Sequence, residues 1–117
     1  MAEIKRVPGK AQGRCRYVVS NGLVWAVATA EGHGTTVAEQ TRATLKNLER
    51  NLVEVGSGKH LILDATVFLT DMATKAEMDE VWCERIPDGH WPCRACVGTS
   101  LAPGDLVEIK VTAKLGE

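Results

Sequence analysis

Apolar and polar residues follow two rhythms along this chain, and the changes between them mark its elements. Tyr17-Val-Val19 and Leu23-Val-Trp-Ala-Val27 are β-branched and aromatic runs separated by Ser20-Asn21-Gly22. Asn-Gly in that setting predicts a hairpin, because both residues tolerate the positive φ of a type I′ turn. Thr36-Val-Ala-Glu39 fits a capping box that opens a helix. Leu45, Leu48, Leu52 and Val55 then recur at helical spacing, with Lys46, Glu49, Arg50 and Glu54 on the opposite face and Gly56 as the stop. Leu61–Leu69 is almost continuously apolar, the mark of a strand covered on both faces. Thr74-Lys-Ala-Glu77 reads as a second capping box, leading into a shorter helix with Met78, Val81 and Trp82 as its apolar stripe. That helix ends before Pro87. Two strands follow, Arg94–Leu101 and Leu106–Leu115. The last alternates, with Val107, Ile109, Val111, Ala113 and Leu115 on one face and Glu108, Lys110, Thr112 and Lys114 on the other. Residues 1–13, with Pro8, Gly9 and Gly13, read as a loosely held lead-in.

The predicted order is β-β-α-β-α-β-β, an α+β two-layer sandwich with two helices on one face of a mixed sheet. A chain of 117 residues fits a single domain over 1–117. Two helices cover one sheet face, yet Leu61–Leu69 is apolar on both, so the uncovered face is expected to meet another copy of the chain.

Fourteen Lys and Arg against fifteen Asp and Glu give a net charge of −1. That balance argues against a general nucleic-acid or membrane-surface binder, which needs a strongly basic face. The longest apolar stretch, Leu23–Ala30, is far short of the roughly 20 residues of a membrane span, and the N-terminal residues lack the apolar core of a signal peptide. Four cysteines are too few for a disulfide scaffold. The expectation is a soluble, cytoplasmic protein with reduced thiols.

Cys83, His90, Cys93 and Cys96 have the residue types of a zinc site, but no second Cys-x-x-Cys exists. They read instead as small buried hydrophobes and a solvent-facing loop histidine, with no metal and no cofactor expected. Cys93-Arg-Ala-Cys96 precedes a strand rather than opening a helix, which removes the dipole that activates redox thiols. There is no Gly-x-Ser-x-Gly nucleophile motif and no phosphate-binding loop. Arg94 is the informative residue. At the start of a strand in apolar surroundings, a guanidinium must be paired or meet an anion. Two readings stand: an ion pair with Glu108, or a ligand site in which Arg94 grips a carboxylate and Glu108 positions a water or proton.

Thr41-Arg-Ala-Thr-Leu-Lys-Asn-Leu, Asp64-Ala-Thr-Val-Phe-Leu-Thr-Asp-Met72, Pro92-Cys-Arg-Ala-Cys-Val97 and Leu106-Val-Glu-Ile-Lys-Val-Thr-Ala113 together resemble the RidA family, also called YjgF or endoribonuclease L-PSP. The resemblance covers roughly residues 14–114. It implies a chorismate-mutase-like fold assembled as a homotrimer with sites between subunits. The implied activity is hydrolysis of reactive enamines and imines, such as 2-aminoacrylate, to 2-keto acids and ammonia, without cofactor or metal. Arg94 would bind the substrate carboxylate, Glu108 would orient the attacking water, and the backbone of Cys96 would lie beside it. A small-carboxylate binder without turnover is the alternative. RNA cleavage fits poorly with the near-neutral charge and the single Tyr and Phe. The chain departs from the family pattern at Val27-Ala-Thr29, at Gly13-Arg14-Cys15 and at Ala76. These changes alter the pocket wall and put the substrate, rather than the reaction, in question. Trp91 is expected either to narrow the pocket or to pack in the core or a subunit interface. Arg14 or Arg16 is expected to complete the site across that interface.

Overall fold

The computed structural model describes residues 3–116. Six strands and two helices follow in order: β1 Ile4–Pro8, β2 Cys15–Ser20, β3 Leu23–Thr29, α1 Val37–Glu54, β4 Ile62–Leu69, α2 Lys75–Arg85, β5 Cys93–Gly98 and β6 Val107–Lys114. The strands form one mixed sheet in the order β1-β2-β3-β6-β4-β5, in which only β4 and β5 run parallel. α2 makes the crossover that a parallel neighbour requires. Both helices pack on one face, so the expected α+β sandwich is the observed one.

The β2–β3 hairpin turns through Asn21 and Gly22 at φ 53° and 81°, as its sequence predicts. α1 carries the predicted capping box: Thr36 accepts from the Glu39 amide, and Glu39 accepts from the Thr36 amide. Hydrogen bonds from the Thr35 and Thr36 amides hold the Glu39 carboxyl below its ordinary value. Leu45, Leu48 and Leu52 of α1 and Met78, Val81 and Trp82 of α2 meet Val24, Val67, Leu69, Ile109 and Val111 of the sheet in one core.

Three expectations need correction. The lead-in is not loose: residues 4–8 form β1, paired antiparallel with β2, while Met1 and Ala2 lie outside the described residues. The second capping box does not form. Thr74 donates its hydroxyl to the Asp71 carbonyl, and the Glu77 carboxylate accepts from the Ala38 amide at 2.7 Å. Glu77 therefore serves the first turn of the other helix, where a carboxylate also complements the dipole. The penultimate strand stops at Gly98 rather than Leu101. From there residues 99–106 cross the end of β4, where Thr99 donates to the Leu69 carbonyl and Thr70 to the Leu106 carbonyl.

Gln40 holds that crossing segment. Its side chain is 3% exposed; its amide donates to the Gly34 and Gly104 carbonyls, and its oxygen accepts from the Leu106 amide at 2.8 Å. Gln40 thus fixes the approach to β6, two residues before Glu108. Gln40→Ala removes three part-buried hydrogen bonds to the backbone, whose carbonyls at Gly34 and Gly104 water can reach, and is expected to cost about 1–2 kcal/mol in urea denaturation.

Candidate functional site

After the Tyr17–Ala26 pair, β2 leaves β3 and follows β1 alone. The gap opens a cleft of about 660 Å³. Its walls include Arg14 and Arg16 on one side, Val27-Ala-Thr29 at the end of β3, and Glu108 on β6. Asn47 and Asn51 of α1 form its floor, and both are occupied. Asn47 donates to the Thr29 carbonyl at 3.0 Å, fixing the end of β3. Asn51 accepts from Arg16 Nη1 at 2.7 Å, while Nη2 of the same guanidinium meets Glu54 at 2.9 Å. Glu54 also accepts from the Tyr17 hydroxyl at 2.6 Å. Burial, reinforced by that carboxylate, raises the Tyr17 hydroxyl's pKa, and the Tyr17 hydrogen bond lowers that of Glu54.

Glu108 lies between Val107 and Ile109, both fully buried under the helices, so strand alternation turns its carboxylate to the uncovered face. It faces Thr29 on one side and Phe68 on the other. Among the described residues, its carboxylate has neither hydrogen-bond nor ion-pair partner.

Arg94 is elsewhere. It stands on β5, an edge strand, in register with buried Ala65, so its side chain turns to the helix face. The expected Arg94–Glu108 ion pair is therefore wrong. β4 lies between their strands, which separates them by about two strand spacings, or roughly 10 Å, and they point to opposite faces of the sheet. The partner of Arg94 is Asp79 of α2, whose Oδ1 lies 2.6 Å from Nη2. Asp79 Oδ2 meets Lys75 Nζ at 2.8 Å, one turn earlier on α2. The Trp82 ring lies under the guanidinium at 5.0 Å, a cation–π contact. Nη1 has only the Met78 sulfur at 3.8 Å. Of five N–H donors, most are free for a second anion, while Asp79 and Trp82 hold the fork in place.

Burial pushes the Asp79 carboxyl up, but Lys75 and Arg94 outweigh it, and the net shift is below the ordinary 3.8. A depressed pKa adds stability that is present above the ordinary value and lost as pH falls through the native one. Asp79→Asn is therefore expected to be less stable than wild type at neutral pH, with the gap closing below pH 3.8 in acid titrations of unfolding.

Cys96 follows Arg94 on the same face and pairs with Val67. Burial pushes its thiol up, against the opposing charge of Arg94, so it is a neutral thiol at physiological pH and no nucleophile. Cys83 and Cys93 are exposed and Cys96 half-buried, which corrects the reading of these three cysteines as buried hydrophobes. Among the described residues no group of His, Cys, Asp or Glu is arranged to hold a metal ion. Trp91 is 48% exposed and outside this chain's core. Asp79 was missed from sequence; its one signal is a carboxylate flanked on α2 by the buried Met78 and Trp82.

The family model for endoribonuclease L-PSP matches residues 15–115. The RutC family protein YoaB of Escherichia coli is 36% identical over 97 residues, covering 82% of this chain and 85% of the relative. The mitochondrial protein mmf1 of Schizosaccharomyces pombe is 32% identical over 80% of this chain and 60% of its own length. Among solved structures, a YjgF-family protein from Neisseria meningitidis superposes with a TM-score of 0.93 at 38% identity, covering 98% of this chain and 97% of that one. A YjgF/YER057c/UK114 family member from Mycobacterium tuberculosis gives 0.86 at 27%, covering 97% and 100%. No helix among the described residues is long and apolar enough to cross a membrane. In sequence, strand order and helix placement alike, the chain belongs to the RidA family, also known as YjgF, RutC or endoribonuclease L-PSP.

Proposed function

We propose that this protein hydrolyses small imino acids and their enamine tautomers to 2-keto acids and ammonia, in clefts formed between copies of the chain in a homotrimer. The observation that carries this reading is Glu108: a carboxylate without a partner among the described residues, lining a cleft of substrate size. A carboxylate so placed takes a proton from water. The water oxygen bonds to the imine carbon, and the C=N π pair moves to nitrogen. The proton held by Glu108 passes on to that nitrogen to give a carbinolamine, Glu108 then carries the hydroxyl proton to the amine, and ammonia leaves as the keto C=O forms. An enamine first takes a proton at carbon and gives one up from nitrogen to become the imine.

The reaction also needs the α-carboxylate fixed, because an oriented imine requires little further help. Arg94 is the group built for it, with a braced and mostly unsatisfied guanidinium fork. It lies on the far edge of its own sheet from the cleft, so it serves the cleft of a neighbouring copy, with the Cys96 backbone beside it. Imines of this kind arise beside pyridoxal-phosphate enzymes, and the cytoplasm is the proposed compartment.

The test generates 2-aminoacrylate and longer imino acids in situ and traps the survivors with semicarbazide. Wild-type protein is expected to compete with the trap and lower its yield. Trap yields unchanged across the panel, with small carboxylates still bound, would replace the deaminase with a carboxylate-binding protein.

A further inference from the structure

A second depression of about 340 Å³ adjoins the cleft and shares Arg14, Cys15, Arg16 and Val27 with it. Its basic residues are Arg6, Arg14, Arg16 and Lys110, its apolar wall includes Trp25, and no acidic residue lines it. Arg16 is neutralised by Glu54 at 2.9 Å. Arg14 is not: among the described residues it has no carboxylate within salt-bridge distance, and its only side-chain hydrogen bond is a long one, 3.4 Å, to the Gln12 carbonyl. Arg6 and Lys110 likewise have no ion-pair partner among the described residues. A one-sign depression with apolar walls concentrates anions, and Arg14 stands where it opens into the cleft.

Resting on the deaminase reading, we propose that Arg14 binds a second carboxylate, so that the preferred substrates are imino acids with an acidic side chain. In this arrangement the α-carboxylate goes to Arg94 of a neighbouring copy and the side-chain carboxylate to Arg14, with Arg6 and Lys110 supplying the surrounding positive field. The imine carbon is then held at both ends over Glu108. A neutral side chain leaves Arg14 unused; a basic one meets repulsion.

The test compares imines made in situ from acidic and from neutral amino acids, in wild type, Arg14→Gln and Arg14→Lys. Wild type is expected to favour the acidic imine in kcat/KM, and Arg14→Gln to reduce that preference about tenfold, chiefly through KM. Arg14→Lys should restore part of it, because a point charge keeps the attraction and loses the fork. Calorimetry adds a readout independent of turnover: 2-oxoglutarate should bind wild type more tightly than 2-oxobutyrate, and Arg14→Gln should remove the difference. An equal effect of Arg14→Gln on both imine classes, or equal binding of the two keto acids to wild type, overturns the proposal. Tighter 2-oxoglutarate binding that depends on Arg14, with no imine hydrolysed, keeps the anion subsite and discards the deaminase.

Discussion

Glu108→Gln is expected to lower kcat on small imino acids by about 10²–10⁴ while leaving KM near its wild-type value. The amide has nearly the same shape, so the cleft survives and only the proton acceptor is lost. Neighbouring Val107 and Ile109 are anchored in the core and hold the strand regardless of which side chain lies between them. Single-turnover measurement under semicarbazide competition separates the chemical step from binding. A Gln variant within a few-fold of wild type would show that water attacks unaided and that the cleft works by orientation alone.

Arg94→Ala is expected to act on the other term, lowering kcat/KM by roughly two to three orders of magnitude with the loss of the carboxylate clamp. The loss should differ from that of Glu108→Gln in kind, since substrate affinity falls with turnover. The fold is expected to tolerate it: Asp79, deprived of Arg94, keeps Lys75 at 2.8 Å, so no lone charge is left against the core. Arg94→Lys should recover only part of the activity, because a single ammonium held by Asp79 has no second parallel edge to offer a carboxylate. Full activity in Arg94→Ala would remove the carboxylate anchor from the mechanism.

The layer architecture was legible because apolar spacing and turn chemistry agreed. The stripe from Leu45 to Leu52, the Asn21-Gly22 turn and the alternation of β6 each point to one structure. β1 was not legible. Its burial is slight, with only Val7 packed against the core, so it has no apolar rhythm to read and is held by ladder hydrogen bonds to β2. The partner of Arg94 was misread for a topological reason. β5 and β6 are consecutive in sequence, and consecutive strands often pair, but the parallel crossover through α2 places β5 outside β4. The segment 99–106 must then return over the end of β4 before β6 begins. Asp79 carries no mark in a one-dimensional pattern, since its significance depends on which strand α2 lies against. The candidate residues could be named from sequence. Their distribution over the two faces of the sheet could not.

That distribution has a genetic consequence. Arg94 and Glu108 look out from opposite faces of one chain, and in the proposed assembly each cleft takes them from different polypeptides. A chain crippled at Arg94 and a chain crippled at Glu108 each retain what the other lacks. Mixed in one assembly, they rebuild some clefts with both groups intact, although neither parent has a single one. On the proposed mechanism, two alleles inactivated at these two positions are therefore expected to complement each other within one oligomer, and co-expression of Arg94→Ala and Glu108→Gln chains checks it.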